Sequence, residues 1–399
     1  MKTKLLILAL FGATAIAVAF YPMVNTANTA QTVTPVNQPG IVNDKPKIEV
    51  VFVLDTTGSM GGLIQAAKEK IWSIASNMAT AQPTPDIKMG LIAYRDRGDD
   101  YVTQVVDLSS DLDSMYARLM EFQAAGGGDG PESVNQALYD AVHKISWGQD
   151  KNAYKVVFLV GDAPPHMDYQ DDVKYPVSIA AAKQKGIVVN AIQCGAESDT
   201  RQKWLQVAQL GNGRYFEVEQ TGGAVAVTTP FDEKIARLSE ELDGTRLFYG
   251  SEKEKARMET KKAATEKLNA FASAESRARR GVFNASEAGA GNLLGENELV
   301  DDVASGRVDL DRISEAELPK PLQAMAPAAR AKVIQEKSEK RDDLMKQIQQ
   351  LGEKRREYIK EQVAKEGGAK DSLDVQLYDA IKEQAAGKGM RYSDEVAEY

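Results

Sequence analysis

Cysteine, histidine and positive charge are scarce in this chain of 399 residues, which has one cysteine, two histidines and a formal net charge of −9. The lone Cys194 cannot form an intramolecular disulfide, and its apolar surroundings favour a small buried hydrophobe. A net negative charge argues against a nucleic-acid partner, which calls for basic patches. The sequence also lacks Ser/His/Asp, Cys/His and phosphate-loop patterns, so we expect no enzymatic activity.

The N-terminus differs in character from the rest of the chain. Two lysines precede an apolar run over residues 5–20, and residues 17–19, AVA, fit an A-x-A cleavage pattern. Residues 1–19 are therefore predicted to be a secretory signal, with an uncleaved membrane anchor as the alternative. Residues 20–46, rich in Thr, Asn, Gln, Pro and Val, are predicted to be a flexible linker. We expect an exported protein of the periplasm or cell envelope, and an uncleaved N-terminus would associate it with the membrane.

The stretch IEVVFVLDTTGSM, residues 48–60, organises the rest of the chain. Its near-continuous apolar half is typical of a strand buried on both faces of a parallel sheet. Asp55 stands at the carboxyl end of that strand, where open α/β sheets bind their ligands. Thr57 and Ser59 follow in a tight turn. One carboxylate and two hydroxyls are hard oxygen ligands, which predicts a magnesium site rather than a site for a soft metal.

Strand-like apolar runs alternate with amphipathic helix-like segments from residue 47 to about residue 245. Strands are predicted at 48–54, 87–94, 102–106, 156–160, 187–194 and 215–218, and helices at 63–81, 111–122, 133–145, 177–185, 201–210 and 231–242. This alternation indicates an α/β fold with a doubly wound, mostly parallel sheet. The run at 102–106 suits an edge strand. We therefore predict one α/β domain over residues 47–245.

Residues 246–399 are predicted to form an all-α C-terminal region. Segments 251–280 and 329–366 are dense in charged residues, Gln and Ala, and a Gly/Ala/Asn-rich connection over residues 281–306 joins them. The second segment carries an apolar stripe that Arg355 interrupts, which is too weak for a long coiled coil. We expect a helical hairpin that packs on itself or on a partner and has solvated charged faces, with a connection that has little to pack against.

Three separated segments carry the candidate site. They are Asp55-x-Thr57-x-Ser59, the glycine turn 126–132 with Asp129 and Glu132, and Asp162 after the predicted strand 156–160. If the strands that end at Asp55 and Asp162 are neighbours, the three loops meet at one edge of the sheet. These motifs resemble the von Willebrand factor type A domain and its metal-ion-dependent adhesion site, whose first loop reads D-x-S-x-S. The resemblance covers about half of the chain, residues 47–245.

The glycine turn resembles the D-x-P-E turn of integrin beta-subunit domains, and not the threonine-bearing loop that is commonest in the family. The resemblance implies that Glu132 ligates the metal, which would be Mg²⁺, with Mn²⁺ or Ca²⁺ as alternatives. Gly61 and Gly62 stand where those domains carry the acids of an adjacent calcium site, so no second site is predicted. Asp129 either ligates the metal or only shapes the turn. Asp55 and the two hydroxyl residues could instead merely cap the following helix.

The resemblance implies that the chain binds other proteins. Thr57 and Ser59 would hold the metal directly, and Asp55 and Asp162 directly or through water. Glu132 would complete the ring and leave one position for an Asp or Glu side chain of a partner protein. One alternative is a Mg²⁺-dependent, phosphatase-like hydrolase, which would need a second acid two residues after Asp55, where Thr57 stands. The other alternative is a scaffold that acts through its helical C-terminal region.

Two further features have simple interpretations. Arg97-Gly98-Asp99 spells an adhesion tripeptide, but a charged exposed turn explains it better. His166 is predicted to be a solvated residue or a hydrogen-bonding neighbour of the site and not a metal ligand.

Overall fold

A computed structural model describes residues 45–128, 130–218, 227–365 and 373–393 of the chain. The predicted signal, the predicted linker up to residue 44 and the candidate ligand Asp129 lie outside these described residues. The described residues from 45 onward belong to one compact unit. No helix within these ranges combines the length and the apolar character needed to cross a membrane.

Six strands form one sheet in the spatial order β3-β2-β1-β4-β5-β6. The strands are β1 (Lys47–Asp55), β2 (Asp86–Tyr94), β3 (Thr103–Ser109), β4 (Tyr154–Gly161), β5 (Ile187–Cys194) and β6 (Asn212–Val218). All neighbouring pairs are parallel except β2 and β3, which are antiparallel. β4 is buried along its whole length and β1 at every residue after Lys47, as the continuous Val/Phe/Leu runs require. The predicted fold class and the edge position of β3 are confirmed.

Helices cover both faces of the sheet and make up most of the C-terminal region. They are α1 (Ile64–Met78), α2 (Leu112–Glu121), α3 (Val134–His143), α4 (Tyr175–Gln184), α5 (Ser198–Leu210), α6 (Asp232–Asp243), α7 (Glu252–Phe271), α8 (Ala274–Asn284), α9 (Ala290–Leu294), α10 (Leu299–Ala304), α11 (Lys320–Gln323), α12 (Pro327–Lys365) and α13 (Leu373–Ala386). Helices α3, α4 and α5 share one apolar cluster with the sheet, while α1 and α2 share another with its opposite face.

The centre of the sheet explains where a ligand would bind. β1 lies between β2 and β4, so the chain leaves β1 toward one edge of the sheet and returns to build the other half from β4. The order of strands therefore reverses between β1 and β4, and open α/β sheets bind ligands at such a switch point, outside the carboxyl ends of the strands. The register pairs Leu54 with Val160. Asp55 and Asp162 consequently emerge side by side.

The C-terminal helices do not form the hairpin with solvated faces that the sequence predicts. Helix α7 packs on α2, and α12 packs on α6 and α10. Leu268 of α7, Phe283 of α8, and Leu377 and Ile381 of α13 belong to the same apolar cluster as residues of β1. These contacts cross the predicted boundary at residue 245. Whether residues 47–245 fold alone stays a prediction.

The connection over residues 281–306 also differs from expectation, because it is largely helical and packed. It contains the end of α8 and all of α9 and α10, and Ala285, Leu293 and Leu299 are buried in it. Gly281 lies so close to α6 that an added Cβ would stand 2.8 Å from Ser239 Cβ. The small residues of this segment therefore allow close helix contact rather than a loose linker.

Buried ion pairs join the helices to one another. The shortest contacts are Lys70–Asp374 at 2.6 Å, Arg280–Asp113 at 2.6 Å, Arg280–Asp243 at 2.8 Å, Arg341–Glu298 at 2.8 Å and Arg355–Asp232 at 2.7 Å. Arg280 is 1% exposed and donates two hydrogen bonds to each of its carboxylates. Several charges that look solvated in the sequence are thus internal links between α2, α6, α8 and α12.

Candidate metal site

The first loop of the site is built by the end of β1. Asp55 is fully buried, and its Oδ1 accepts hydrogen bonds from Thr57 N at 2.9 Å and from Thr57 Oγ1 at 2.7 Å. Thr57 Oγ1 lies 3.2 Å from Ser59 Oγ. A short 3₁₀ helix, Gly58–Gly62, then leads into α1. Neither Thr57 nor the residue before α1 makes a side-chain cap hydrogen bond to that helical stretch, so capping does not account for these three side chains.

The end of β4 completes this half of the site. Ser59 Oγ donates a hydrogen bond of 2.9 Å to Asp162 Oδ1. Asp162 follows Gly161, where an added Cβ would stand 2.4 Å from the Tyr94 hydroxyl and 2.9 Å from Asp55 Cβ. Such distances are impossible for a side chain, so glycine is required for β4 to approach β1 this closely.

Glu132 reaches the same place from the glycine turn. Its backbone N–H donates to Pro164 O at 2.8 Å, and its carbonyl accepts from His166 N at 3.0 Å. The carboxylate is near Thr57, because a Cβ added at Gly127 would lie 3.5 Å from both Glu132 Oε1 and Thr57 Cβ. Asp55, Thr57, Ser59, Glu132 and Asp162 therefore converge as the sequence predicts, while Asp129 lies outside the described residues.

Two buried carboxylate oxygens of this site are left without partners. No described residue hydrogen-bonds to Asp55 Oδ2 or to Glu132 Oε2. The Tyr94 hydroxyl lies near Asp55 and slightly favours its ionised form, but it is not in hydrogen-bonding geometry. Unpaired buried carboxylates are costly. A cation at this point would satisfy both oxygens at once.

The pKa values of the three carboxyl groups also favour a bound cation. Burial raises the pKa of Asp55 to about 7. Burial, with the nearby charge of Asp55, raises the pKa of Glu132 to about 9. Burial also raises the pKa of Asp162. Three acids that resist ionisation together would be stabilised as anions by a divalent cation.

The donor set decides which metals fit. Among the described residues, no group of three or more His, Cys, Asp or Glu side chains could hold a metal by itself. The Thr57 and Ser59 hydroxyls are therefore a necessary part of this site. A set of carboxylates and hydroxyls without nitrogen or sulfur fits Mg²⁺, Mn²⁺ or Ca²⁺ and not a soft metal.

Sequence reasoning missed the residues that hold these loops in place. Arg95 is buried, and its Nε donates to Thr56 O at 3.0 Å while its second guanidinium nitrogen donates to Gln123 O at 2.9 Å. Asp99 accepts from Gly127 N at 3.0 Å through both carboxylate oxygens. Arg95 thus ties the first loop to the chain before the glycine turn, and Asp99 holds the turn itself. The sequence signal that could have identified these residues is the charged cluster directly after β2, beside the point where the strand order reverses.

The tripeptide 97–99 is part of this support. Arg97 pairs with Asp171 at 2.9 Å and with Asp172 at 2.5 Å, and its guanidinium lies 4.2 Å from the centroid of the Tyr169 ring. His166 stacks on the Tyr169 ring, with the two ring centroids 4.0 Å apart. His166 is buried, so the prediction of a hydrogen-bonding neighbour of the site fits, and that of a solvated residue does not.

The comparisons with known proteins agree with this geometry. Residues 49–230 match the family model described as the von Willebrand factor A domain. The sheet half of this chain is thus similar to the von Willebrand factor A domain family. The integrin-like form of its metal site rests on the sequence pattern alone.

Curated relatives of the A domain are larger proteins. A 93-residue stretch, 23% of this chain, is 39% identical to the von Willebrand factor A domain-containing protein 7 of Rattus norvegicus. A stretch of 122 residues, 30% of this chain, is 29% identical to the alpha-protein kinase vwkA of Dictyostelium discoideum. The chain spans 22% or less of the length of the curated relatives it matches. Their activities therefore do not transfer to it.

A solved structure with a likeness to this chain is that of proximal thread matrix protein 1 from the mussel byssus, described with a zinc-occupied MIDAS motif. It is 15% identical, covers 45% of this chain and 43% of its own, and has a TM-score of 0.36. At these values the likeness carries no argument about the function of this chain.

Metal affinity is expected to depend steeply on pH. Because Asp55 and Glu132 hold protons up to about pH 7 and about pH 9, a metal ion must displace those protons in order to bind. Affinity for Mg²⁺ should therefore rise with pH between about 6 and 9, by up to about tenfold per unit for each proton released. Calorimetric titration in two buffers of different ionisation enthalpy measures that release, and Glu132→Gln should reduce it. An affinity independent of pH would contradict the assignment.

Proposed function

We propose that this protein is an exported, divalent-cation-dependent binding protein whose A domain captures an acidic side chain of a partner protein. The observation that carries the proposal is the pair of unpartnered buried oxygens, Asp55 Oδ2 and Glu132 Oε2, beside the exposed hydroxyl of Ser59. The site thus combines buried carboxylate oxygens with a hydroxyl ligand that is accessible from the surface. That arrangement suits a metal ion that the buried oxygens coordinate on one side and that a partner protein can contact on its exposed side.

Each residue has a distinct part in this proposal. Thr57 and Ser59 hold Mg²⁺ directly, and Asp55 and Asp162 hold it directly or through water. Glu132 completes the ring in the manner of integrin beta subunits. The bound cation supplies an electrophilic position that a partner carboxylate fills, because only an acid both offsets its charge and offers a hard oxygen. Export follows from the N-terminal sequence pattern and is part of the proposal.

The enzymatic alternative fits the geometry less well. A nucleophilic aspartate must be reached by its substrate, but Asp55 is fully buried and one of its oxygens is already bonded to Thr57. The position two residues later, which such a hydrolase would need as an acid, is Thr57 itself. The scaffold alternative, acting through the C-terminal helices, makes a different prediction, since its binding would survive loss of the metal.

Partner capture should depend jointly on the metal and on Ser59. Full-length mature protein would be used to capture partners from envelope extract in Mg²⁺, in Ca²⁺ and in EDTA. Ser59→Ala should weaken metal retention and capture together, because it removes a direct hydroxyl ligand. Glu132→Gln keeps an oxygen but removes a charge, so it should weaken metal affinity while leaving the bound metal more electrophilic toward an acid.

The matched control is Ser305→Ala, which removes an exposed hydroxyl outside the site. It should leave both metal binding and capture unchanged. A partner retained equally in EDTA, or by Ser59→Ala, would show that the metal site is structural and would favour binding through the C-terminal helices.

A further inference from the structure

Two loops beside the metal site form a rim with an excess of negative charge. We define the rim as residues 95–100 and 167–174. It contains six acids and three bases, so its acids outnumber its bases by three. The rim adjoins the site because Arg95 binds the carbonyl of Thr56 and His166, next to the second loop, binds the carbonyl of Glu132.

The charges of the rim are held in fixed positions. Arg97 of the first loop pairs with Asp171 and Asp172 of the second. In the other direction, Tyr169 donates its hydroxyl to Asp96 Oδ2 at 2.8 Å, and Asp96 also accepts from Ser133 Oγ at 2.9 Å. The two loops are therefore locked to each other and to the start of α3. A partner meets a preorganised charge pattern and not a pair of loose loops.

Three of the six acids of the rim face solvent more than its bases do, while the side chains of Asp96 and Asp172 are buried. The side chains of Asp100, Asp171 and Asp168 are 92%, 75% and 72% exposed. The Arg95 side chain is only 7% exposed, donates to two main-chain carbonyls and lies 3.6 Å from Asp100, and Lys174 donates to the carbonyl of Tyr169. A divalent cation does not reverse this sign, since the three ionised carboxylates of the site exceed its charge by one.

We propose that the partner of this site is a basic protein surface on which one acidic side chain is surrounded by lysine or arginine. The inference rests on the proposed function and adds the chemistry around the captured acid. The metal selects a carboxylate, whereas the rim repels any segment that carries several of them. An acidic cluster alone would only attract cations. Here the unpartnered buried oxygens of Asp55 and Glu132 place a metal site at its centre.

Defined peptides test this inference on the full mature protein. Three peptides of equal length would be compared: one glutamate flanked by lysines, one glutamine flanked by lysines, and one glutamate flanked by glutamates. Binding would be measured in Mg²⁺ and in EDTA, at low ionic strength and at about 0.15 M, where charges are screened beyond about 8 Å. The lysine-flanked glutamate should bind best in Mg²⁺, by about tenfold over the glutamate-flanked peptide at low salt, with the gap closing as salt rises.

Each outcome decides a different point. Metal-dependent binding that requires the central glutamate, with a preference for lysine flanks, supports the inference. Equal binding of both glutamate peptides in Mg²⁺ overturns it and leaves the proposed function standing. Lysine-flanked peptides that bind equally in EDTA, or with glutamine at the centre, show charge attraction without capture and overturn it too. No binding by a protein that retains its metal overturns the proposed function, and the inference with it.

Charge-neutralising variants locate the effect. Asp100→Asn combined with Asp171→Asn should reduce the preference for lysine flanks several-fold and flatten its salt dependence. The control is Glu259→Gln combined with Glu336→Gln, which changes the net charge equally at exposed positions of α7 and α12. If the control reduces the preference as much as the rim variant does, the net charge of the protein is responsible and the inference is overturned.

Discussion

Replacing Arg280 with alanine is expected to lower the free energy of unfolding by about 3–5 kcal/mol. The guanidinium is 1% exposed and lies between Asp113 of α2 and Asp243 of α6. Burial alone would raise the pKa of Asp113, but the charge of Arg280 more than offsets burial and holds that pKa well below its usual range. Without Arg280, both acids lose their main buried cation. Urea unfolding of the wild type and the variant measures the loss.

An exposed pair of the same chemistry provides the control. Arg257 and Glu296 also join two elements of the C-terminal region, but their side chains are 55% and 68% exposed. Arg257→Ala should therefore cost less than about 1 kcal/mol. Arg280→Lys should fall between the two, because it keeps the charge but loses the forked geometry that serves two carboxylates. Similar losses from Arg280→Ala and Arg257→Ala would mean that the buried network is not a main link between α2, α6 and α8.

The convergence of the candidate site residues was predictable because these residues are close in sequence or stand at strand ends. Asp55, Thr57 and Ser59 occupy a single turn, and an apolar run that stops at an acid marks the carboxyl end of a buried strand. The strands that lead to Asp55 and Asp162 were recognisable by composition, but their being neighbours was only a condition of the prediction, which the strand order of the structure meets. The support from Arg95 and Asp99 was not predictable, since its hydrogen bonds go to main-chain atoms that have no signature in sequence.

The C-terminal helices show the limit of such reasoning. Arg355 interrupts the apolar stripe of α12, and Arg341 stands before it, so the stripe looks too weak to be buried. Both side chains are nonetheless buried, because Asp232 and Glu298 meet them. A charge is judged solvated when its partner is unknown, and these partners lie 123 and 43 residues away. Hydrophobic periodicity indicates which face of a helix is apolar, but it does not reveal ion pairs between helices that are distant in sequence.

Mg²⁺ is expected to stabilise the folded protein, and Asp55→Asn is expected to abolish that effect. A ligand at about 100 times its dissociation constant stabilises the folded state by about 2.7 kcal/mol. Asparagine keeps an oxygen that can accept from Thr57, but it removes the charge that holds the cation. Thermal unfolding with and without Mg²⁺ measures the response. Asp150→Asn, in the partly exposed pair with Lys47, is the control and should respond as the wild type does.

Without bound metal, the order of stability between the wild type and Asp55→Asn should reverse. The pKa of folded Asp55 is about 7, above its ordinary value of 3.8, so its contribution to stability is complete below pH 3.8 and is lost as pH rises through 7. At pH 8 in EDTA the buried, ionised Asp55 therefore destabilises the wild type, whereas the neutral amide does not. Asp55→Asn should then be at least as stable as the wild type without metal, and less stable with it. A variant that is less stable than the wild type by the same amount in EDTA and in Mg²⁺ would show that Asp55 supports the fold and not a cation.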